Sequence, residues 1–227
     1  MSKQKDFKFR TWGGKRKGAG RKRKTDRPTV KHDVRPIVNK NDVCHVTLRV
    51  NDAIGYLRKR EPSRVINWAL AVMSKRTDMR ICQISIQGNH VHLICGATDG
   101  KALSCGIRAF EISVTRGLNG LCGRKGNVFP DRYHLRVIKS PTQLRNTLNY
   151  VFGNWRHHGY DRYFQTGMRF DPYSSANTFG GFKELSPIEQ HVFRPDGDVF
   201  MVSLPKTWLL REGWKRAKCV SCSSGST

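Results

Sequence analysis

Acidic residues are scarce in this chain. Only 17 Asp and Glu stand against 42 Lys and Arg among 227 residues, a formal net charge of +25. Such an imbalance excludes a charge-neutral surface and calls for a polyanionic partner or a dense cloud of counterions. Long apolar runs are missing as well. No stretch of 18 or more apolar residues occurs, which excludes an ordinary transmembrane helix. The opening residues, Met1 to Arg10, contain no apolar segment of the kind a Sec signal needs, so export is not expected. The seven cysteines (44, 82, 95, 105, 122, 219 and 222) are odd in number and follow no disulfide-scaffold rhythm. A reducing cytoplasm, close to the nucleoid, is the expected setting.

What is present suffices for one packed core of moderate size: 37% hydrophobic and 10% aromatic residues. Nucleic acid is the expected partner. An anionic membrane surface is the rival, but no basic amphipathic helix with a wide apolar face stands out. A structural protein of the ribosomal kind also fits the charge.

The charge is unevenly placed. Residues 1–40 hold 15 Lys and Arg and 3 Asp and Glu, about half of the whole excess. Within them Lys15, Arg16, Lys17, Arg21, Lys22, Arg23 and Lys24 are interleaved with glycines. Glycine opposes regular structure there, and the cations can follow a phosphate backbone or enter a narrow minor groove. A solvated basic tail is the equally simple reading. Residues 1–42 are therefore read as a basic, largely extended arm.

Periodicity begins at residue 43. Val46, Leu48 and Val50 alternate with Thr47 and Arg49, a half-buried strand. A helix is expected from Glu61-Pro62-Ser63 to Lys75-Arg76, with Val65, Ile66, Ala69, Leu70, Val72 and Met73 as its buried stripe. Met79–Gln87 and His90–Gly96 read as a hairpin about Gly88-Asn89, with Ile81, Gln83 and Ser85 opposite Cys82, Ile84 and Ile86. Leu103, Ile107, Phe110, Val114, Leu118 and Leu121 form one helical stripe. Phe129–Ile138 can hold a fourth strand. Ser140-Pro141-Thr142-Gln143 is a capping-box start for a helix that should run to His157-His158 and stop at Gly159. This order implies an α+β sandwich with an antiparallel sheet. Residues 161–227, with four prolines and a short helix expected near Thr207–Arg216, are read as an irregular extension on that core.

His90-Val91-His92-Leu93 carries the chemistry. Alternate residues of a strand share a face, so both imidazoles can converge on one metal ion while Val91 and Leu93 enter the core. Taken alone, a structural or solvent-facing pair is the favoured reading. The capped helix adds Tyr150 and Asn154, one turn apart on one face, with Asn146 and His157 nearby. Leu144, Leu148 and Val151 are placed for the core, with Trp155 at its margin. His90, His92 and the Asn154 side-chain oxygen would hold a divalent cation that polarises a phosphodiester. Tyr150 would attack as nucleophile to give a 5′-phosphotyrosine. Without the histidines, the same tyrosine would simply cap the core edge.

Three blocks resemble a known family. Gly88-Asn89-His90-Val91-His92-Leu93 resembles the His-hydrophobic-His motif of single-tyrosine transposases. Phe129-Pro130-Asp131-Arg132-Tyr133-His134 is similar to the aromatic-Arg-aromatic block of the REP-associated tyrosine transposases. Leu148-Asn149-Tyr150-Val151-Phe152-Gly153-Asn154 resembles their catalytic helix, whose tyrosine precedes an asparagine by four. The basic start and Val46–Val50 also resemble the N-terminal part of bacterial members. The resemblance covers residues 43–160. It implies a ferredoxin-like catalytic domain that nicks and rejoins single-stranded DNA beside an imperfect hairpin, with repetitive extragenic palindromes as targets. Many relatives continue as Asn-Pro-Val-Arg-Ala-Gly, where this chain has Asn154-Trp155-Arg156-His157-His158-Gly159, keeping only the first and last residues.

The expected cofactor is Mg²⁺ or Mn²⁺; imidazole ligands favour Mn²⁺ and availability favours Mg²⁺. No small-molecule cofactor is expected. Arg132, Arg136, Arg145 and Arg156 are candidate phosphate clamps. The protein would work as a monomer or homodimer on single-stranded and hairpin DNA. The alternative is a non-catalytic protein that binds structured DNA or RNA on the same fold, and a third class is a zinc hydrolase that activates water at the histidines. Cys219-Val220-Ser221-Cys222 is a lone CxxC with no second pair.

Overall fold

The computed structural model describes residues 34–163, 169–183, 199–217 and 220–221. The candidate arm cations from Lys15 to Lys24, and the Cys219 and Cys222 pair, lie outside the described residues. Among the described residues no helix is long and apolar enough to cross a membrane.

Four strands form one antiparallel sheet: β1 (Val43–Arg49), β2 (Met79–Ile86), β3 (His90–Ala97) and β4 (His134–Ile138), in the order β2-β3-β1-β4. Among the described residues three helices of more than two turns accompany them: α1 (Arg60–Ser74), α2 (Gly100–Leu121) and α3 (Pro141–His157). The chain order β1-α1-β2-β3-α2-β4 with β1 and β3 central is the ferredoxin-like α+β arrangement.

Strand alternation divides the side chains between two cores. Cys44, Val46, Leu48, Ile84, Ile86, Val91, Leu93 and Cys95 pack with Ile66, Leu70, Ile107, Phe110 and Val114 of α1 and α2. Val43, Cys82, Ile94 and Ile138 face the other way, onto Leu144, Leu148, Val151 and Phe152 of α3. Phe170, Phe182, Leu210 and Trp214 of the C-terminal segments join this second core. Helix α3 is thus clamped between the sheet and the extension. A short helix, α4 (Trp208–Arg211), and the 3-10 turn Gly213–Arg216 occupy the region where one short helix is expected.

Several expectations are corrected. The register of β2 and β3 shifts between Ile81 and Gln83. This bulge turns Cys82 to the α3 side while Ile81 and Ile84 both face α1 and α2, so strict alternation fails there. Strand β4 is half the expected length. Pro130 has no N–H to give a ladder, and Phe129 instead plugs the α1/α2 core. On α1, Val72 is exposed and Ser63 buried. On α2 the stripe is buried from Leu103 to Leu118, but Leu121 emerges at the last turn. Trp155, expected at the margin, is fully buried.

An ion pair ties the extension to the first half of the chain. Arg58 Nη1 and Nη2 donate to the Asp171 carboxylate at 2.9 and 2.8 Å, and Nη1 also donates to the Ile86 carbonyl at 2.8 Å. The side chains of both residues are almost wholly buried. Burial pushes the Asp171 carboxyl up, and the bidentate guanidinium opposes it.

Candidate active site

The register of the sheet assembles the site. On the face turned to α3, Arg49 pairs with His90, and Thr47 lies opposite His92 on one side and His134 on the other. His45 lies opposite Ile94 and Arg136. Apolar residues end at Ile94 on β3, and histidine takes over at His92. Helix α3 then supplies the opposite wall. Ser140 caps it by accepting from the Gln143 N–H at 3.3 Å, while Gln143 Oε1 accepts from the Lys139 N–H, one residue earlier than the expected capping-box partner. Gly159 closes it with φ +69°, in the left-handed region that glycine tolerates. The result is a cavity of about 650 Å³ whose lining includes His45, Thr47, Arg49, His90, His92, His134, Arg136, Asn146, Thr147 and Tyr150.

The metal-ligand candidates meet at its floor. His90 Nε2 and His92 Nε2 are 3.2 Å apart, and His92 Nε2 is 3.1 Å from the Asn154 amide nitrogen. His90 Nδ1 lies 2.9 Å from Asn89 Oδ1. His92 Nδ1 lies 3.1 Å from His45 Nε2 and 3.2 Å from Thr47 Oγ1. If each Nδ1 carries the proton and donates to those acceptors, both Nε2 lone pairs point at the same spot. Two lone pairs 3.2 Å apart need a proton or a cation between them. Separations of 3.1 to 3.2 Å also suit neighbouring ligands with bonds of about 2.1 Å to one ion. A half-turn of the Asn154 amide would present its oxygen in place of its nitrogen. The donor set therefore fits a divalent cation. Among the described residues no group of three His, Cys, Asp or Glu is arranged as a metal site, so the amide or waters must complete the shell.

The electrostatics agree with neutral imidazoles. Burial, aided by neighbouring cationic groups, lowers His45 and His90 to about 4 and His92 to about 2. Tyr150 is half exposed at the mouth of the cavity, its ring centroid 5.3 Å from that of His92 and 6.1 Å from that of His45. Asn154, one turn on, is buried beneath it.

Not every candidate arrives here. Arg136 lines the cavity. Arg132 lines a separate groove beside α2. Arg145 lines neither, and Arg156 donates to the Arg169 carbonyl and lies over Trp155. From the end of α3 it is His158, not the expected His157, whose ring approaches His90, at 6.0 Å between centroids. His45, Thr47, Arg49 and His134 line the same cavity without standing out in the sequence as candidates. Their signal was present in the alternation of β1, where polar residues occupy the face opposite Val46 and Leu48. Pairing partners across strands cannot be read from one strand alone.

No protein-family model matches the sequence, and no curated protein matches it at a significant level. Among solved structures, a Deinococcus radiodurans R1 chain described as a candidate transposase aligns with 13% identity over 53% of this chain and 93% of its own. Its TM-score of 0.37 is too low to bear on the fold. A REP-associated tyrosine transposase, solved bound to a REP hairpin, aligns over 78% of this chain and 99% of its own, a larger share than residues 43–160 alone. With a TM-score of 0.53 at 17% identity, the shared property is architecture: this chain has the fold of a REP-associated tyrosine transposase.

Proposed function

We propose that this protein is a metal-dependent, single-tyrosine DNA strand transferase of the REP-associated transposase type, acting on single-stranded DNA beside a hairpin. A shared fold does not carry an activity by itself, so the reading rests on the site. The observation that carries it is one cavity lined by a half-exposed phenol, 5.3 Å from the His92 ring between centroids, and by two imidazoles whose Nε2 atoms lie 3.2 Å apart. Binding alone requires no such set. The hairpin comes to this chain by analogy with the transposase of the same fold, and the net charge of +25 fits a polyanion.

In this reading His90, His92 and Asn154 hold Mg²⁺ or Mn²⁺. Such an ion supplies Lewis acidity to the phosphodiester and stabilises charge on the departing 3′ oxygen. Tyr150 Oη attacks phosphorus, the bond to the 3′ oxygen breaks, and that oxygen leaves with a proton as a free 3′-OH. The phenol, having lost its proton, is then bonded to the 5′ phosphate. Attack by a 3′-OH on that linkage reverses the step and rejoins strands without an external energy source. His45 and Thr47 orient His92 through Nδ1. Arg49 and Arg136 flank the cavity as phosphate contacts.

The test is incubation of the full chain with a 5′-flanked DNA hairpin and Mn²⁺. A covalent protein–DNA adduct, absent with chelator and absent in Tyr150→Phe, is the expected result. Tight binding with no adduct would leave a non-catalytic DNA- or RNA-binding protein. Cleavage that survives Tyr150→Phe would make it a hydrolase that activates water at the histidines.

A further inference from the structure

Helix α3 meets β3 with matched strides. Alternate strand residues advance about 6.6 Å, and one helical turn of four residues about 6 Å. Asn154 stands against His92, with 3.1 Å between its amide nitrogen and Nε2. One turn on, the His158 ring stands against that of His90, 6.0 Å away between centroids. Tyr150, Asn154 and His158 are thus spaced by four along one helix face.

The His158 ring is exposed, yet it is held in place. Gly159, at φ +69°, ends α3 at once, and the Tyr160 ring that follows lies 5.5 Å from His158 between centroids. Tyr160 rests on Gly88 of the β2–β3 turn, where a Cβ would come within 2.8 Å of its hydroxyl oxygen. The Arg58 guanidinium covers the same tyrosine at 4.5 Å. These contacts keep His158 beside the turn that carries Asn89 and His90.

Rings bound through one nitrogen each to a common ion, by bonds of about 2.1 Å, hold their centroids at most about 6.5 Å apart. His90 and His92, at 4.8 Å and 88°, meet that limit, and so do His90 and His158, at 6.0 Å and 72°. An imidazole at a helix end also suits the C-terminal dipole, but that role is open to His157 and His158 alike and needs no ring beside His90.

We propose that His158 is a further ligand of the divalent ion at His90, His92 and Asn154, and that this third imidazole makes the site select Mn²⁺ over Mg²⁺. The inference rests on reading that cluster as the metal site of a strand transferase. Imidazole nitrogen favours transition ions, whereas Mg²⁺ takes oxygen ligands and keeps several waters. Each imidazole that replaces a water therefore moves the preference further from Mg²⁺.

The full chain is titrated with Mn²⁺, free ion being read by electron paramagnetic resonance, and with Co²⁺, whose visible absorption reports the ligand field. Mg²⁺ affinity is taken from competition against Mn²⁺. His158→Ala and His158→Gln are compared with His157→Ala, which removes the adjacent exposed imidazole. Both positions are exposed, so each variant should fold. His158→Ala should weaken Mn²⁺ binding about tenfold or more and Mg²⁺ binding less than about twofold, and should alter the Co²⁺ spectrum. His158→Gln, which offers an oxygen, should narrow the gap between the two ions, and His157→Ala should leave both affinities unchanged. Equal losses for the two ions, an unchanged Co²⁺ spectrum, or equal effects of the two alanine variants overturn the proposal. Adduct formation with the hairpin is scored in parallel. Mn²⁺ binding that depends on His158, without any adduct from the unaltered protein, keeps the ligand and removes the phosphotyrosine chemistry. An adduct together with Mn²⁺ binding indifferent to His158 does the reverse, and no Mn²⁺ binding by the unaltered protein overturns the metal site in both.

Discussion

On the α1/α2 side of the sheet the inward residues are apolar along the whole length of β1 and β3, from Cys44 to Leu48 and from Val91 to Cys95. On the α3 side the apolar set stops partway. Val43, Ile94 and Ile138 pack under α3, and then His45, Thr47, His92 and His90 follow on the same face. One sheet thus has a face given to packing and a face divided between packing and the candidate site. The packed half matters to the candidate site, because it seats α3, from whose middle Tyr150 projects. The clamp of Phe170, Phe182 and Trp214 on α3 has the same effect from outside.

The comparison can be broken most sharply at Tyr150. Its ring is half exposed, so Tyr150→Phe should cost at least about 10³-fold in adduct formation, as loss of a nucleophile does. The melting temperature of the variant should move by no more than about two degrees, because surface changes stay within about 0.5 kcal/mol. A large thermal shift would mean that the two halves of the face are not separable. Phe110→Ala, on the purely structural face, should do the opposite. It removes a fully buried ring and should cost about 3–5 kcal/mol, seen as a lower denaturation midpoint. The adduct yield per folded molecule should not change.

Asp171→Ala tests the clamp. It leaves the Arg58 guanidinium buried without its carboxylate and should destabilise by about 3–5 kcal/mol. If α3 is held in part by the extension, adduct formation should also fall at temperatures where the protein is still folded.

Acid sharpens the contrast between the faces. His45 and His90 titrate near 4 and His92 near 2, below the ordinary 6.5, so between these values the native state binds fewer protons than the unfolded chain. Stability should therefore be at its full value above pH 6.5 and decline as the pH falls toward 4. His45→Gln should flatten that decline in metal-free thermal melts; an unchanged slope would place the acid sensitivity elsewhere. The smallest effect is expected from Ser140→Ala, about 1 kcal/mol from losing the α3 cap, with a thermal shift of a few degrees.

Some of this was legible in the residues. The stripe from Leu103 to Leu118 and the Ser140 start of α3 are local signals, and both held because period and capping involve neighbours in sequence. His90 and His92 on one strand face, with Tyr150 and Asn154 one turn apart, were equally local. The bulge at Cys82 was not, since it is defined only against β3. The short β4 was hidden for a related reason: Phe129 reads as a strand residue until a core across the sheet claims it. Arg132, Arg145 and Arg156 could not be told from Arg136, because flexible cationic side chains carry no periodic constraint.

By itself the sequence determined the order of helices and strands, the basic character of the chain and the residue types that could do phosphoryl chemistry, since these follow from spacing and charge along one chain. Only the tertiary structure decided that Thr47 sits across from His92, that His45 supports it, and that Tyr150 opens into the same cavity. Those facts depend on strand register and on the seating of α3, which are settled by contacts between residues far apart in the chain.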